Sequence, residues 1–447
     1  MSRIKNLILP TASLPVILAF LAIMAPAFAA SNEKVLHNFK DNGKDGYSPE
    51  AGLVFDKAGN LYGTTYGAPY GGSTYGSNGT VFELSPGAGG KWTEKVLHEF
   101  CAVQGCPDGK SPNAALILDA AGNLYSTTQS GGAYGFGTVF ELTPGAGGKW
   151  TEKVLHSFGS GTDGYFPNAS LIFDAGGNLY GTTYVGGTNS NSGTVFELSP
   201  GTGGAWNETV LYNFCASPGC VDGQHPAAAL IFDSIGNLYS TTFEGGTGSD
   251  GGYGTVFELS PGAGGTWTEK VLHSFNNIQN GLEGVYPWDS LVLDAEGHLY
   301  GTTARGGADR NSNCFFNAGC GTVFELMPEA NGKWKERVLH SFYNNGKDGY
   351  GTEANLIFAA AGNLYGTTED GGAYDDGTLF QMKRGTDGDW NETVVFSFGQ
   401  HGIQPWSGVI MGPGGKLYGT TLYGGTSGTS CGDYGGHGCG TVFEITP

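Results

Sequence analysis

Basic residues are scarce in this chain. Lys and Arg number 21 against 41 Asp and Glu, and two of the 21, Arg3 and Lys5, lie in the first five residues. Beyond residue 30 the balance is 19 basic to 41 acidic, a net charge of −22, with no basic run. Nucleic acid and anionic membrane surfaces are held through Lys and Arg, so neither is an expected partner. Long apolar runs are also missing after residue 30: no stretch approaches the ~20 residues a helical span needs. No helical apolar period of ten residues or more occurs, which argues against a helical domain. There is no Gly-x-Ser-x-Gly elbow, no phosphate loop and no His-Glu-x-x-His. The 81 glycines follow no Gly-X-Y period, so collagen is excluded, and 13% aromatic content is too high for a disordered chain.

What is present begins with an export signal. Arg3 and Lys5 precede an apolar stretch from Leu7 to Met24, and Ala27-Phe28-Ala29 is a small-x-small cleavage site. Residues 1–30 therefore read as a signal peptide cleaved near Ala29 or Ala30 rather than a membrane anchor. The product is expected to be secreted or periplasmic. The eight cysteines form four close pairs: Cys101/Cys106, Cys215/Cys220, Cys314/Cys320 and Cys431/Cys439. On an exported chain these read as four small disulfide loops. Zinc would need two pairs to converge, and no histidine stands at ligand spacing beside them.

Residues 31–447 repeat. Gly-Asn-Leu-Tyr-Gly-Thr-Thr, or a close variant, starts at Gly59, Gly122, Gly177, Gly236, Gly297, Gly362 and Gly415, at spacings of 53 to 65 residues. Gly-Thr-Val-Phe-Glu, or a variant, follows at Gly79, Gly137, Gly193, Gly254, Gly321, Gly377 and Gly440. Such periods signal a solenoid, a propeller or an array. Each unit divides into four short runs rich in aliphatic, aromatic and Thr residues, bounded by turn residues. In the first unit these are strand A (52–56), strand B (61–65), strand C (80–84) and strand D (92–100). Four antiparallel strands per repeat make the blade of a β-propeller. A parallel β-helix would have shorter coils and no repeated hairpin turns. The chain opens on a lone strand D, Lys34 to Phe39, and ends on a lone strand C, Thr441 to Ile445. Pairing them completes a seventh blade and removes two free sheet edges. The fold class is thus all-β: a single seven-bladed propeller over 31–447, closed by its N-terminal strand and expected to be a monomer.

The two repeated motifs resemble the GloVer (Gloeo/Verruco-type) tandem repeat of exported bacterial proteins, over essentially the whole of 31–447. The resemblance implies a propeller and lends no catalytic residue. Members often carry a C-terminal anchor; the chain stops at Pro447, directly after strand C, so none is expected.

Antiparallel order places the short A–B and C–D turns on one face, and the long B–C loops and D–A crossovers on the other. The second face is where function is expected. It holds all four cysteine pairs and most loop aromatics, among them Tyr165, Trp288 and Trp406. Six crossovers carry an acid before glycine: Asp45, Asp108, Asp163, Asp222, Glu283 and Asp348. With strand A innermost, these acids are candidate ligand-binding groups at the channel mouth, and the alternative is that each caps its own turn. Aromatic rings beside Asp, Asn and Thr suit sugars, so the partner expected is an extracellular glycan or a surface protein. No cofactor is expected. Asp375-Asp376 and the segment around Asp250 are candidate calcium ligands but match no spaced calcium loop. Residues that break the repeat are Glu244, Arg305, Arg310, Glu369, Asp370, His225, His401 and His437. They form no recognisable catalytic signature, so the chain reads as a binding protein more than an enzyme. A polysaccharide-acting hydrolase or lyase and a structural envelope protein are the alternatives.

Overall fold

The computed structural model describes residues 32–447 except 41, 43–44, 68–77, 249–250, 277–281, 310–313, 315–317, 400, 426–430 and 432–437. The segment read as a signal peptide, residues 1–30, and Asp250, Arg310 and His437 lie outside the described residues. Seven four-stranded antiparallel sheets follow one another. In the first, Val54–Phe55, Leu61–Thr65, Thr80–Pro86 and Trp92–Glu99 are strands A to D. Strand A is shorter than its apolar run suggests. Leu53 belongs to the incoming crossover, and Asp56 turns away to organise the next hairpin.

That hairpin explains much of the repeat. Asp119 of the second blade accepts hydrogen bonds from the amides of Ala121 and Asn123 through Oδ1, and from Asn123 Nδ2 and the Tyr125 hydroxyl through Oδ2. Asp56, Asp174 and Asp233 repeat the set. These bonds hold the carboxyls of Asp56 and Asp119 below their ordinary range despite partial burial. The sixth blade makes the turn with Ala359, whose amide still bonds the Asn363 carbonyl at 2.8 Å. The Asp therefore adds stability to a turn the backbone can make alone. Asp119→Ala is expected to cost about 1–3 kcal/mol, the desolvation penalty of the donors left behind. A urea midpoint with an unchanged slope would measure it, and no shift would refute the role.

The core is divided among the blade interfaces. Tyr62, Val81 and Phe100 of the first blade pack with Leu116, Leu124, Phe140 and Leu142 of the second. Each of the seven interfaces contains a buried Phe–Phe contact: Phe39–Phe82, Phe100–Phe140, Phe158–Phe196, Phe214–Phe257, Phe275–Phe324, Phe342–Phe380 and Phe398–Phe443. Their centroids lie 5.0–5.4 Å apart. The ring closes as the sequence predicts. Asn32–Asn38 pairs antiparallel with Thr441–Thr446, which pairs with Leu417–Thr421 and then Ile410–Met411. The mid-strand glycines accommodate this packing: a Cβ on Gly63 would lie 2.5 Å from the Phe82 ring. Where Ser126 and Ser240 replace glycine, their hydroxyls donate to strand-A-side carbonyls.

A polar ring accompanies the aromatic one. The strand-D glutamates Glu94, Glu152, Glu208, Glu269, Glu336 and Glu392, with Glu33 in the closing strand, each bury one carboxylate oxygen with no hydrogen-bond partner among the described residues. Glu94 faces Asp45 and His37 of the preceding blade, and Glu392 lies with His340 and Asp348 in a cluster whose ligand-type atoms fall within 4.8 Å. Burial raises the carboxyls of Glu94, Glu152, Glu208, Glu336 and Glu392 to about 7 and Glu269 to about 8.

Candidate functional site

Each B–C loop is zipped to the crossover of its own face. Gly284–Val285 pairs with Arg305–Gly306, and Gly349–Tyr350 with Asp370–Gly371. Single bridges join Lys110 to Ser130, Tyr165 to Val185, Gln224 to Glu244 and Ile403 to Tyr423. The expected pairing of loops on one face holds. Four disulfides, Cys101–Cys106, Cys215–Cys220, Cys314–Cys320 and Cys431–Cys439, lie on this face as the spacing implied. They fit an exported protein, and no helix among the described residues is long and apolar enough to cross a membrane.

At the centre of the face is a cavity of about 950 Å³ lined by residues of all seven crossovers, which places it on the ring axis. One crossover position supplies much of its wall. It follows the proline that ends each crossover, or Thr352 in the sixth, and it reads Glu50, Asn113, Asn168, Ala227, Trp288, Glu353 and Trp406 around the ring. The first residue after strand B adds Tyr66, Gln129, Tyr184, Glu369 and Leu422. The scaffold repeats, but these positions do not.

The wall is a hydrogen-bonded polar belt with aromatic panels. The Tyr66 hydroxyl donates to Gln129 Oε1 at 2.8 Å, and Gln129 Nε2 donates to Asn168 Oδ1 at 3.1 Å. Trp406 Nε1 donates to Glu353 Oε2 at 2.8 Å. Asn113 Oδ1 is buried without a partner among the described residues. Trp288 lies 4.9 Å edge-on from Phe243 and 6.1 Å from Tyr184, which stacks on His225 at 5.0 Å. Burial raises Glu50 to about 8 and Asp289 to about 6. It also raises Glu369 to about 8, with the neighbouring carboxyls of Glu353 and Asp370 adding to the effect.

Of the residues expected from sequence, Trp288, Trp406 and Glu369 meet in this cavity. Asp370 does not line it and accepts from Gln404 Nε2 at 3.3 Å. Arg305 stands over the Tyr286 ring at 5.5 Å and acts electrostatically on Glu353. His225 and Glu244 pair at 3.1 Å, and His401 pairs with Glu33 at 3.6 Å. Tyr165 packs on Phe136, with centroids 4.4 Å apart.

The six crossover acids are absent from the lining. Asp45, Asp108, Asp163 and Asp348 bond strand-D histidines at 3.0–3.3 Å, and Asp222 accepts from the Tyr212 hydroxyl. Asp108, Asp163, Asp222 and Asp348 also cap amides of their own crossovers. Glu283 accepts from the backbone of Asn276. Asp375 accepts from the Tyr350 hydroxyl at 3.3 Å. Glu50, Asp289 and Glu353 escaped the sequence reading. They become visible only when the residue after the crossover proline is compared around the ring.

The family model described as the Gloeobacter/Verrucomicrobia repeat matches residues 24–251 and 315–447. No curated protein matches the chain by sequence. Among solved structures, the chain is similar to a PL25 polysaccharide lyase, an ulvan lyase. The form bound to -[GlcA(1-4)Rha3S]- gives a TM-score of 0.50 at 11% identity, and another structure of the lyase 0.51 at 10%; both cover 88% of this chain and 90% of that one. A protein of unknown function from Dyadobacter fermentans shares 10% identity over 81% of this chain and 98% of its own, with a TM-score of 0.41. At such identities the likeness is one of fold.

Proposed function

The chain belongs to the Gloeobacter/Verrucomicrobia repeat family, and from that premise we propose that it is an exported glycan-binding propeller whose ligand occupies the axial cavity. One observation carries the reading: two blade positions whose residues differ from repeat to repeat, the one after the crossover proline and the first after strand B, line the axis. Trp288, Trp406 and Tyr184 offer apolar faces for sugar C–H groups. The amides of Asn113, Gln129, Asn168 and Asn355 and the carboxyls offer partners for hydroxyls. Such a mixture is typical of a concave small-molecule site, and a propeller of this fold is already known with a glycan bound.

A glycan array probed with residues 31–447 tests the reading; silence across neutral, acidic and amino-sugar polymers would sink it. Trp288→Ala combined with Trp406→Ala is expected to weaken binding by at least about 30-fold, the cost of removing an aromatic hot spot. An unchanged affinity would move the site off the axis. A second reading, hydrolysis of the bound polymer, is favoured by the Glu353/Glu369 pair. Burial raises both carboxyls, Glu369 to about 8, so a protonated Glu369 suits a general-acid role, while Trp406 fixes the Glu353 carboxyl. Release of reducing ends on prolonged incubation would support it, and its absence would leave a pure binding protein.

A further inference from the structure

We infer that the axial cavity selects glycans bearing free amino groups and rejects uronate-bearing ones. This rests on the glycan reading above and specifies the charge of the ligand. The lining contains four carboxyl side chains, Glu50, Asp289, Glu353 and Glu369, and no Lys, Arg or His among the described residues. Among the described residues, Arg305 acts on Glu353 from over the Tyr286 ring. A carboxylate entering this space would lose its water with no lining cation among the described residues to pair with, and any lining acid that is ionised would repel it.

The four acids are not equivalent. Glu353 accepts from Trp406, and Asp289 accepts from the Ser290 amide and hydroxyl. Glu50 is half-buried on the wall, and burial alone accounts for its raised carboxyl, with no hydrogen bond or opposite charge contributing. The fold does not require an acid there, because the same position holds Asn, Ala or Trp in five other blades. A half-buried carboxyl on the cavity wall that the blade does not need is placed to accept a ligand's donors. An ammonium group does so with three donors and full charge complementarity. The Trp and Tyr panels add cation–π attraction as well as stacking on the sugar ring. Because Glu50 and Glu369 keep their protons near neutral pH, seating an ammonium beside them expels protons. A neutral glycan would not.

Isothermal titration at pH 6.5 decides the matter, using the glucosamine tetramer, its N-acetylated twin and a galacturonate tetramer in two buffers of different ionisation enthalpy. The amine tetramer is expected to bind at least about tenfold tighter than the twin, as charged hydrogen bonds allow. It should release protons on binding, and the uronate should not bind. Glu50→Gln should cost the amine about tenfold and leave the twin within about twofold. Glu369→Gln provides the same readout if the first variant fails to fold. Equal affinities, preference for the twin, or uronate binding would overturn the inference and leave the glycan reading standing. Failure of every glycan, here and on the array, would remove both.

Discussion

Raising the pH from 6.5 to 8.5 is expected to lower the melting temperature by roughly 5–10 °C. The cause is the glutamate ring between the blades. An unfolded glutamate loses its proton near 4.3, whereas the six strand-D glutamates hold theirs to about 7 or 8 in the folded ring. Between those values the folded state binds more protons than the unfolded one. Unfolding free energy therefore falls as pH rises through the folded values. Each group is partly exposed, so solvent screening reduces its share to roughly 1 kcal/mol. The ring as a whole still contributes several kcal/mol, and the temperature shift follows from the entropy of unfolding of a large domain.

Two histidines act in the opposite sense at lower pH. Burial lowers His98, and lowers His273 to about 4, so both penalise the folded state as pH falls below about 6.5. The decline above 6.5 is consequently the unopposed part. Replacing Glu94, Glu152, Glu208, Glu269, Glu336 and Glu392 by Gln should flatten the profile. A melting temperature that is level or rising over this range in the parent protein would refute the account of the ring.

Removing residues 32–39 is expected to have the largest effect on the fold. The segment supplies the outer strand of the seventh blade, six register pairs with residues 441–446, and buried Leu36 and Phe39. Phe39 also forms the Phe82 contact that closes the interface with the first blade. Losing a fully buried Phe alone costs about 3–5 kcal/mol, and the cut also frees the edge of strand C for pairing with other chains. The truncated protein should unfold at far lower urea and aggregate. Adding the missing strand as a peptide should restore part of the loss. An unchanged urea midpoint would show that closure contributes nothing.

The repeat made the blade, the phase of the ring and the composition of each face legible in the sequence. It also concealed two features. Strand D reads Trp-Thr-Glu-Lys-Val, whose period of two places Glu on the face of Trp and Val, although a carboxylate by itself suggests a solvent-facing position. In a propeller both faces of a sheet are covered by neighbouring blades, so that face is an interface and the glutamates are half-buried there. The axial acids were hidden for the opposite reason. Recurring residues draw the eye to Asp108 and its counterparts, which the crossover geometry turns back onto strand D. The non-recurring Glu50 and Glu353 sit at a position whose only regularity is its place in the blade. Residues such as Trp288, Trp406 and Glu369 were visible because their types stand out singly.

The claim that the axis is the ligand site is tested most directly by a crystal structure of residues 31–447 with the tightest oligosaccharide from the array. The account predicts ligand density within the cavity, flanked by Trp288 and Trp406 and in hydrogen-bond reach of Glu50 or Glu369. Density on the A–B turn face or along the outer strands, with the cavity holding only solvent, would contradict it.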